Sequence, residues 1–245
     1  MLCDLHTHTI ISGHAYSTLR ENIEEGKKKG LKLLGTSEHS QKMPGSCNNV
    51  YFYNMKILKR DFDGIFLLRG AEANIMNYSG ELDLTEEKHI RNLDYIIASL
   101  HTTCIRNGGI TNNTEALIKA MDGQKVRIIG HPDDDRYPID RESLVLSAKE
   151  KGILIELNNS SLAKNSSRKN ARENNIEILE FCQKHKVDII INSDAHVDYQ
   201  VGDFKRAVNL IEELDFPKEH IVNFDNNEDR LFSYLKIDKD SFYNS

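Results

Sequence analysis

The chain has 245 residues, of which 29% are charged and 39% hydrophobic, and its formal net charge is −6. That composition describes a soluble globular protein with enough length for a full core, and it suits one α/β barrel better than one sandwich. The negative balance argues against a surface that coats nucleic acid, which would need an excess of Lys and Arg.

Short β-rich runs recur along the chain, in order Leu2–Leu5, Leu33–Thr36, Ile65–Arg69, Tyr95–Ser99, Val126–Ile129, Ile153–Leu157 and Asp188–Asn192. Each is too short for a helix and nearly continuous in Val, Ile, Leu or Tyr, as in a parallel strand covered on both faces. Polar stretches with helical spacing lie between most of them. Leu19 and Ile23 stand four apart after the first run, and Asn48–Lys59 gives a weaker helical pattern after the second. Ala116, Leu117, Ala120 and Met121 form a stripe. Asp140 reads as an N-cap, Leu144, Val145 and Ala148 as a buried face, and Gly152 as the residue that closes that helix. Phe204, Val208 and Ile211 repeat the stripe. Strand–helix alternation predicts parallel strands with right-handed crossovers in a single domain over 1–245. Ile221–Phe224, followed by a helix capped by Asp225 or Asn226, reads either as an eighth unit or as a tail packed outside, so about 215–245 is expected to be peripheral.

No apolar run approaches the roughly 20 residues that span a bilayer. Cys3, Cys47, Cys104 and Cys182 form no CxxC, and the chain opens on a strand instead of a signal peptide. Both features lead to the expectation of a cytoplasmic protein with reduced cysteines.

Nine residues of metal-binding type stand behind these runs: His6, His8, His14, His39, Glu72, His101, His131, Asp194 and His196. In a parallel barrel they gather at the C-terminal rim, where active sites form. His6 and His8 are two apart, as are Asp194 and His196, so on extended backbone each pair points to one side. Imidazoles and carboxylates without thiolates suit Zn, Mn, Fe or Ni in a catalytic site. Nine ligands are too many for one ion and imply two or three. His89, His185 and His220 lack this placement and read as ordinary polar residues.

The segments Asp4-Leu5-His6-Thr7-His8, Glu38-His39, Gly70-Ala71-Glu72, Ser99-Leu100-His101, Gly130-His131-Pro132 and Ser193-Asp194-Ala195-His196 resemble the PHP (polymerase and histidinol phosphatase) family. Glu72-Ala73-Asn74-Ile75, Gly80-Glu81-Leu82-Asp83 and Asn158-Asn159-Ser160-Ser161 look most like its bacterial YcdX-type branch. The resemblance implies a distorted TIM-like (β/α)7 barrel with three divalent ions, zinc first and manganese or iron as alternatives. It implies one ion on His6, His8, Glu72 and Asp194, a second on Glu72, His101 and His131, and a third on His14, His39 and His196.

The function expected is hydrolysis of small phosphomonoesters by metal-activated hydroxide, with Glu72 and Asp194 as catalytic residues and no serine or cysteine nucleophile. Arg168, in the loop after the sixth run, is the candidate phosphate clamp, and Arg106 and Arg136 compete with it. The bland reading of Arg168, Lys169 and Arg172 is a solvated basic loop, and that of Asp133, Asp134 and Asp135 is surface charge and helix caps. The alternatives are a 3′-exonuclease or phosphodiesterase acting on nucleic-acid ends, and a non-catalytic metal-binding regulatory module. The expected partner is a small phosphorylated substrate, with no stable nucleic-acid partner and no membrane.

Overall fold

The seven apolar runs are the seven strands of one sheet in the computed structural model, which describes residues 1–224 and 228–244. The strands are β1 (Cys3–Asp4), β2 (Leu33–Thr36), β3 (Phe66–Asn74), β4 (Tyr95–Ser99), β5 (Val126–Ile129), β6 (Leu154–Asn158) and β7 (Ile189–Asn192). They pair in sequence order and all in parallel. Around them lie α1 (Leu19–Lys28), α2 (Val50–Asn54), α3 (Glu87–Ile90), α4 (Gly109–Ala120), α5 (Arg141–Lys151), α6 (Ala171–His185) and α7 (Lys205–Glu213). Two C-terminal helices follow, α8 (Glu228–Leu235) and α9 (Lys239–Tyr243). The fold is a TIM-like (β/α)7 barrel.

Local chemistry explains several boundaries. Asp140 caps α5 by accepting from the Ser143 amide, and Gly152 ends it at φ 64°, in the left-handed region that glycine adopts at little cost. Thr18 and Glu21 form a reciprocal capping box on α1. The weak pattern over 48–59 becomes the short α2 and a 3-10 turn, Met55–Ile57. β3 is longer than its apolar run, because Gly70–Asn74 pair with Tyr95–Ser99. Glu72 therefore lies inside a strand, not behind one.

The barrel closes between β1 and β7 largely through side chains. Thr7 and Ala195 form a parallel bridge. The Asn192 carboxamide oxygen accepts from the Leu5 amide at 2.9 Å. Asp4, fully buried, accepts from the Ser193 amide at 3.1 Å and the Gly202 amide at 2.8 Å, and burial pushes its pKa up to about 6. Lower down, Ile221 bridges to Ile189. The Asn223 amide donates to Cys3 O at 3.0 Å and Ile191 O at 2.6 Å, and its oxygen accepts from Ile191 N at 3.1 Å. Ile221–Asn223 thus fills the seam through the bridge to β7, the Asn223 side chain and a main-chain bond from Leu2 N to Asn223 O at 2.9 Å. The expected cap at Asp225 or Asn226 lies outside the described residues.

Side chains alternate along each strand, so residues two apart share the barrel interior. The interior is layered. Its lower layers are apolar, with Leu33, Leu68, Tyr95, Ile97, Ile128, Leu154 and Ile190 packed together, and Phe232, Leu235 and Phe242 of α8 and α9 join them from below. Tyr95 spans the centre and donates to Leu5 O at 2.5 Å. Gly35 and Gly70 make room for it, since a Cβ at either position would collide with the ring. A second apolar cluster fills the space between strands and outer helices. Continuing upward, β6 reads Leu154, Glu156, Asn158, and β7 with the segment behind it reads Ile190, Asn192, Asp194, so the interior changes from apolar to polar and ionisable toward the C-terminal rim.

Candidate metal centre

The rim brings all nine expected ligands together. His6 and His8 follow β1, His39 follows β2, Glu72 comes from β3, His101 follows β4, His131 follows β5, and Asp194 and His196 follow β7. His14 comes from the loop between the 3-10 turn Ile10–Ser12 and α1. The seven imidazoles form a connected set. Ring centroids lie 5.1 Å apart for His6 and His8, 4.3 Å for His8 and His39, and 4.9 Å for His39 and His14. The separations are 4.8 Å for His14 and His196, 5.1 Å for His39 and His101, and 5.4 Å for His101 and His131. His89, His185 and His220 stand apart, and the last two pair with Glu142 and Asp188 at 2.8 Å each.

Glu72 is the hub. Its Oε1 lies 2.9 Å from His131 Nε2 and 3.2 Å from His101 Nε2. Its Oε2 lies 2.7 Å from His39 Nδ1, 3.3 Å from His6 Nε2 and 3.5 Å from His8 Nε2. Asp194 Oδ1 closes the other side, 3.5 Å from His6 Nε2 and 3.4 Å from His8 Nε2. Burial would raise both carboxylates, but the surrounding imidazoles, with Arg168 beside Asp194, outweigh it and hold both well below the usual range. Burial and the His39 and His196 rings lower His8, whereas at His6 the attraction of Glu156, Asp194 and Glu72 overcomes burial and raises it.

Four atoms show that this set fits metal ions. His6 Nε2, His8 Nε2, His39 Nδ1 and Glu72 Oε2 are buried without a well-aligned hydrogen bond, although His39 Nδ1 and Glu72 Oε2 lie 2.7 Å apart. An unsatisfied buried polar group costs about 1–3 kcal/mol, so four in one place call for a cation. Four overlapping groups have ligand atoms within 4.8 Å of one another: His6, His8 and Asp194; His6, Glu72 and His131; His39, Glu72 and His101; His8, His39 and His196. All donors are nitrogen or oxygen, a set that suits zinc, manganese or iron in a catalytic site. The backbone is also strained here, with His131 at φ 31° and Asp194 at φ 55°, of order 1–3 kcal/mol each.

A second set of residues turns the rings, and sequence reasoning missed it. His6 Nδ1 bonds Glu156 at 2.7 Å, His101 Nδ1 bonds Asn74 at 2.7 Å, and His8 Nδ1 bonds Ser12 at 3.0 Å. Each bond places the ring proton outward and leaves Nε2 aimed at the cluster. Glu156 also accepts from the His131 amide at 2.9 Å and from the Asn192 and Asn158 carboxamides at 2.9 and 3.0 Å. Glu38 is fully buried and accepts from Thr9, Ser12 and Thr36, tying the His6–His14 segment to β2. One signal was present: Glu156 interrupts an otherwise apolar strand at an inward position.

The centre opens into a cavity of about 540 Å³ lined by His14, His101, Arg136, Ser167, Arg168 and His196 among others. Arg168 reaches it but is not a solvated loop residue. Its side chain is only 16% exposed, and its Nη2 donates to Asp194 Oδ2 at 3.0 Å and Nη1 to Ser161 at 3.1 Å. Arg136 lines the cavity and pairs with Asp134 at 2.6 Å. Arg106 is exposed outside the lining, and Arg172 pairs with Glu213 in solvent. Asp133 is not a surface charge. It is completely buried and accepts from Asn175 of α6 at 2.8 Å, because the chain turns inward after His131.

No protein-family model matches the chain. Among curated proteins, it is 47% identical over 235 residues to a Clostridium botulinum protein named "Probable phosphatase", covering 96% of this chain and 94% of that one. It is 43% identical over 234 residues to a Caldicellulosiruptor bescii protein of the same name, covering 96% and 95%. Among solved structures, it resembles the histidinol phosphate phosphatase of Lactococcus lactis, complexed with zinc, L-histidinol and phosphate. That match has a TM-score of 0.64 and 18% identity, and covers 88% of this chain and 94% of the other. The identity over nearly the full length places this chain in the family of these bacterial phosphatases, on a PHP-type (β/α)7 barrel.

Proposed function

We propose that this metal-dependent phosphatase hydrolyses small phosphomonoesters at a site holding three divalent ions, zinc first, with manganese or iron as alternatives. The observation that carries this reading is the group of four buried ligand atoms, Glu72 Oε2 and three imidazole nitrogens, that make no well-aligned hydrogen bond. The zinc, histidinol and phosphate of the Lactococcus structure support both the metal and a small phosphorylated substrate. The ligand sets are those the PHP resemblance implies: His6, His8, Glu72 and Asp194; Glu72, His101 and His131; His14, His39 and His196. The YcdX-type branch is the subgroup we favour.

Bound divalent ions would supply an acidified water and positive charge for the phosphate oxygens. The chain supplies the rest. Glu72, its two oxygens facing different imidazoles, holds neighbouring ligand sets in one frame. Asp194 is kept ionised by its imidazole neighbours and Arg168, and its carboxylate is our proton acceptor. Arg168, anchored on Asp194 and Ser161, keeps its charge at every working pH and offers its remaining donors to a substrate phosphate.

The test is phosphate release from a panel of phosphomonoesters and diesters by protein reconstituted with Zn, Mn or Fe. Turnover of monoesters over diesters is the expected result. A preference for diesters or nucleic-acid 3′ ends would turn the assignment to an exonuclease. No release with any metal would leave a binding module.

A further inference from the structure

A second charged cavity, of about 360 Å³, lies on the barrel far from the rim, at the N-terminal ends of β4 and β5. Arg60, Arg69, Arg91, Lys125, Arg127 and Lys236 line it, and Asp94 is the only carboxylate in the lining. Asp94 is already engaged, by the Arg60 guanidinium through both oxygens and by the Arg69 amide at 2.6 Å. Among the described residues, no carboxylate lies within ion-pair distance of the other five cations. Such a concentration of positive charge in a chain of net charge −6 raises the free energy of the empty cavity.

Three of the cations, Lys125, Arg127 and Arg69, are held in place by main-chain carbonyls, which orient them without neutralising them, while Arg91 lies over the Tyr53 ring at 5.1 Å. Lys125 donates to Arg91 O at 2.9 Å and Leu93 O at 2.5 Å. Arg127 donates to Leu235 O at 3.2 Å and Val126 O at 2.7 Å. Arg69 donates to Leu58 O, while its Nε is buried with no partner at all. Burial lowers the proton affinity of Arg69, Lys125 and Arg127, as expected for cations short of counter-charge. Fixed guanidinium forks match phosphate oxygens in pairs. The cavity is also within the range of about 300–1,000 Å³ common for small-molecule sites, and Ile237, with the edges of the buried Leu93 and Leu235, gives it a small apolar wall.

We propose that this basal cavity binds a small organic diphosphate or triphosphate, a nucleoside diphosphate being the class that suits both its charge and its apolar wall. Neither the metal centre nor Arg168 takes part.

The probe is adenosine 5′-(α,β-methylene)diphosphate, whose P–C–P link resists hydrolysis, titrated into the metal-loaded protein by calorimetry. Wild type is expected to bind it in a salt-sensitive event. Arg127→Ala is expected to weaken that event by about tenfold or more, the loss of one charge-assisted bond. Because Arg127 also holds α8, Lys236→Glu is the second variant. Lys236 is exposed, so the fold should tolerate the change, and binding should weaken similarly. Arg168→Ala is expected to bind like wild type. Absence of binding, binding lost only in Arg168→Ala, or a preference for single-stranded oligonucleotide over the probe would each overturn the assignment.

Discussion

The two ends of the barrel share seven strands but treat polar atoms in opposite ways. At the lower end, Tyr95 is the large polar side chain in the interior, and its hydroxyl is matched to Leu5 O while glycines clear space for its ring. At the rim, buried imidazole and carboxylate atoms are left without well-formed hydrogen bonds, and two of the candidate ligands, His131 and Asp194, have positive φ. Stability considered alone would favour the first arrangement throughout. The contrast therefore separates residues that hold the barrel from residues kept in place for a ligand.

Changes at the two ends should separate accordingly, and the largest effect belongs to Glu72. Glu72→Gln removes the charge facing five imidazoles, so metal-loaded protein should lose about 10³-fold or more in kcat. Near-normal turnover at saturating metal would remove Glu72 from the centre. Next comes Glu156→Gln, which keeps the shape but weakens the orientation of His6. A loss of about 10–100-fold in metal affinity is expected, measurable by competition with a chelator. If excess metal restores turnover, Glu156 is a positioning residue; unchanged affinity would make it structural only.

Arg168→Ala should lower kcat/KM on the best phosphomonoester by about 10- to 100-fold, the scale of one charge-assisted hydrogen bond. A rise in KM alone would mean equal contact with substrate and transition state, whereas a fall in kcat would show contact that tightens as charge develops. Unaltered kcat/KM would return the loop to a structural role.

Tyr95→Phe sharpens the comparison from the other side. It leaves Leu5 O unpaired inside the barrel and should cost about 1–3 kcal/mol of stability in denaturant unfolding, with turnover close to wild type. Loss of turnover without loss of stability would blur the division between the ends. His185→Ala, a change at the outer end of α6, should alter neither quantity measurably.

The sequence showed the rim better than the base. The strands were legible because a strand covered on both faces must be apolar throughout, and the cluster of candidate ligands because all of them but His14 stand close behind or within such a run. Glu72 was found although its strand runs on to Asn74, since pairing with β4, not hydrophobicity, sets that boundary. The orienting residues were harder. Glu38 and Asn74 stood in motifs that carry the resemblance and Ser12 in none, but their orienting roles arise from contacts the sequence does not show, such as that between Asn74 and His101 across 27 residues. Glu156 left a trace, a charge inside an apolar strand. Closure by Asn223 had only the signal of the Ile221–Phe224 run, whose place stayed open in the sequence because the contact joins the two ends of the chain across 220 residues.

Metal content tests the central claim most directly. Elemental analysis of the purified protein, reconstituted with zinc and freed of excess, should give about three ions per chain if the nine proposed ligands hold the three proposed ions with open positions for water. The Glu72→Gln variant measured beside it should hold fewer. One ion or none in the reconstituted wild-type protein would contradict the trinuclear centre.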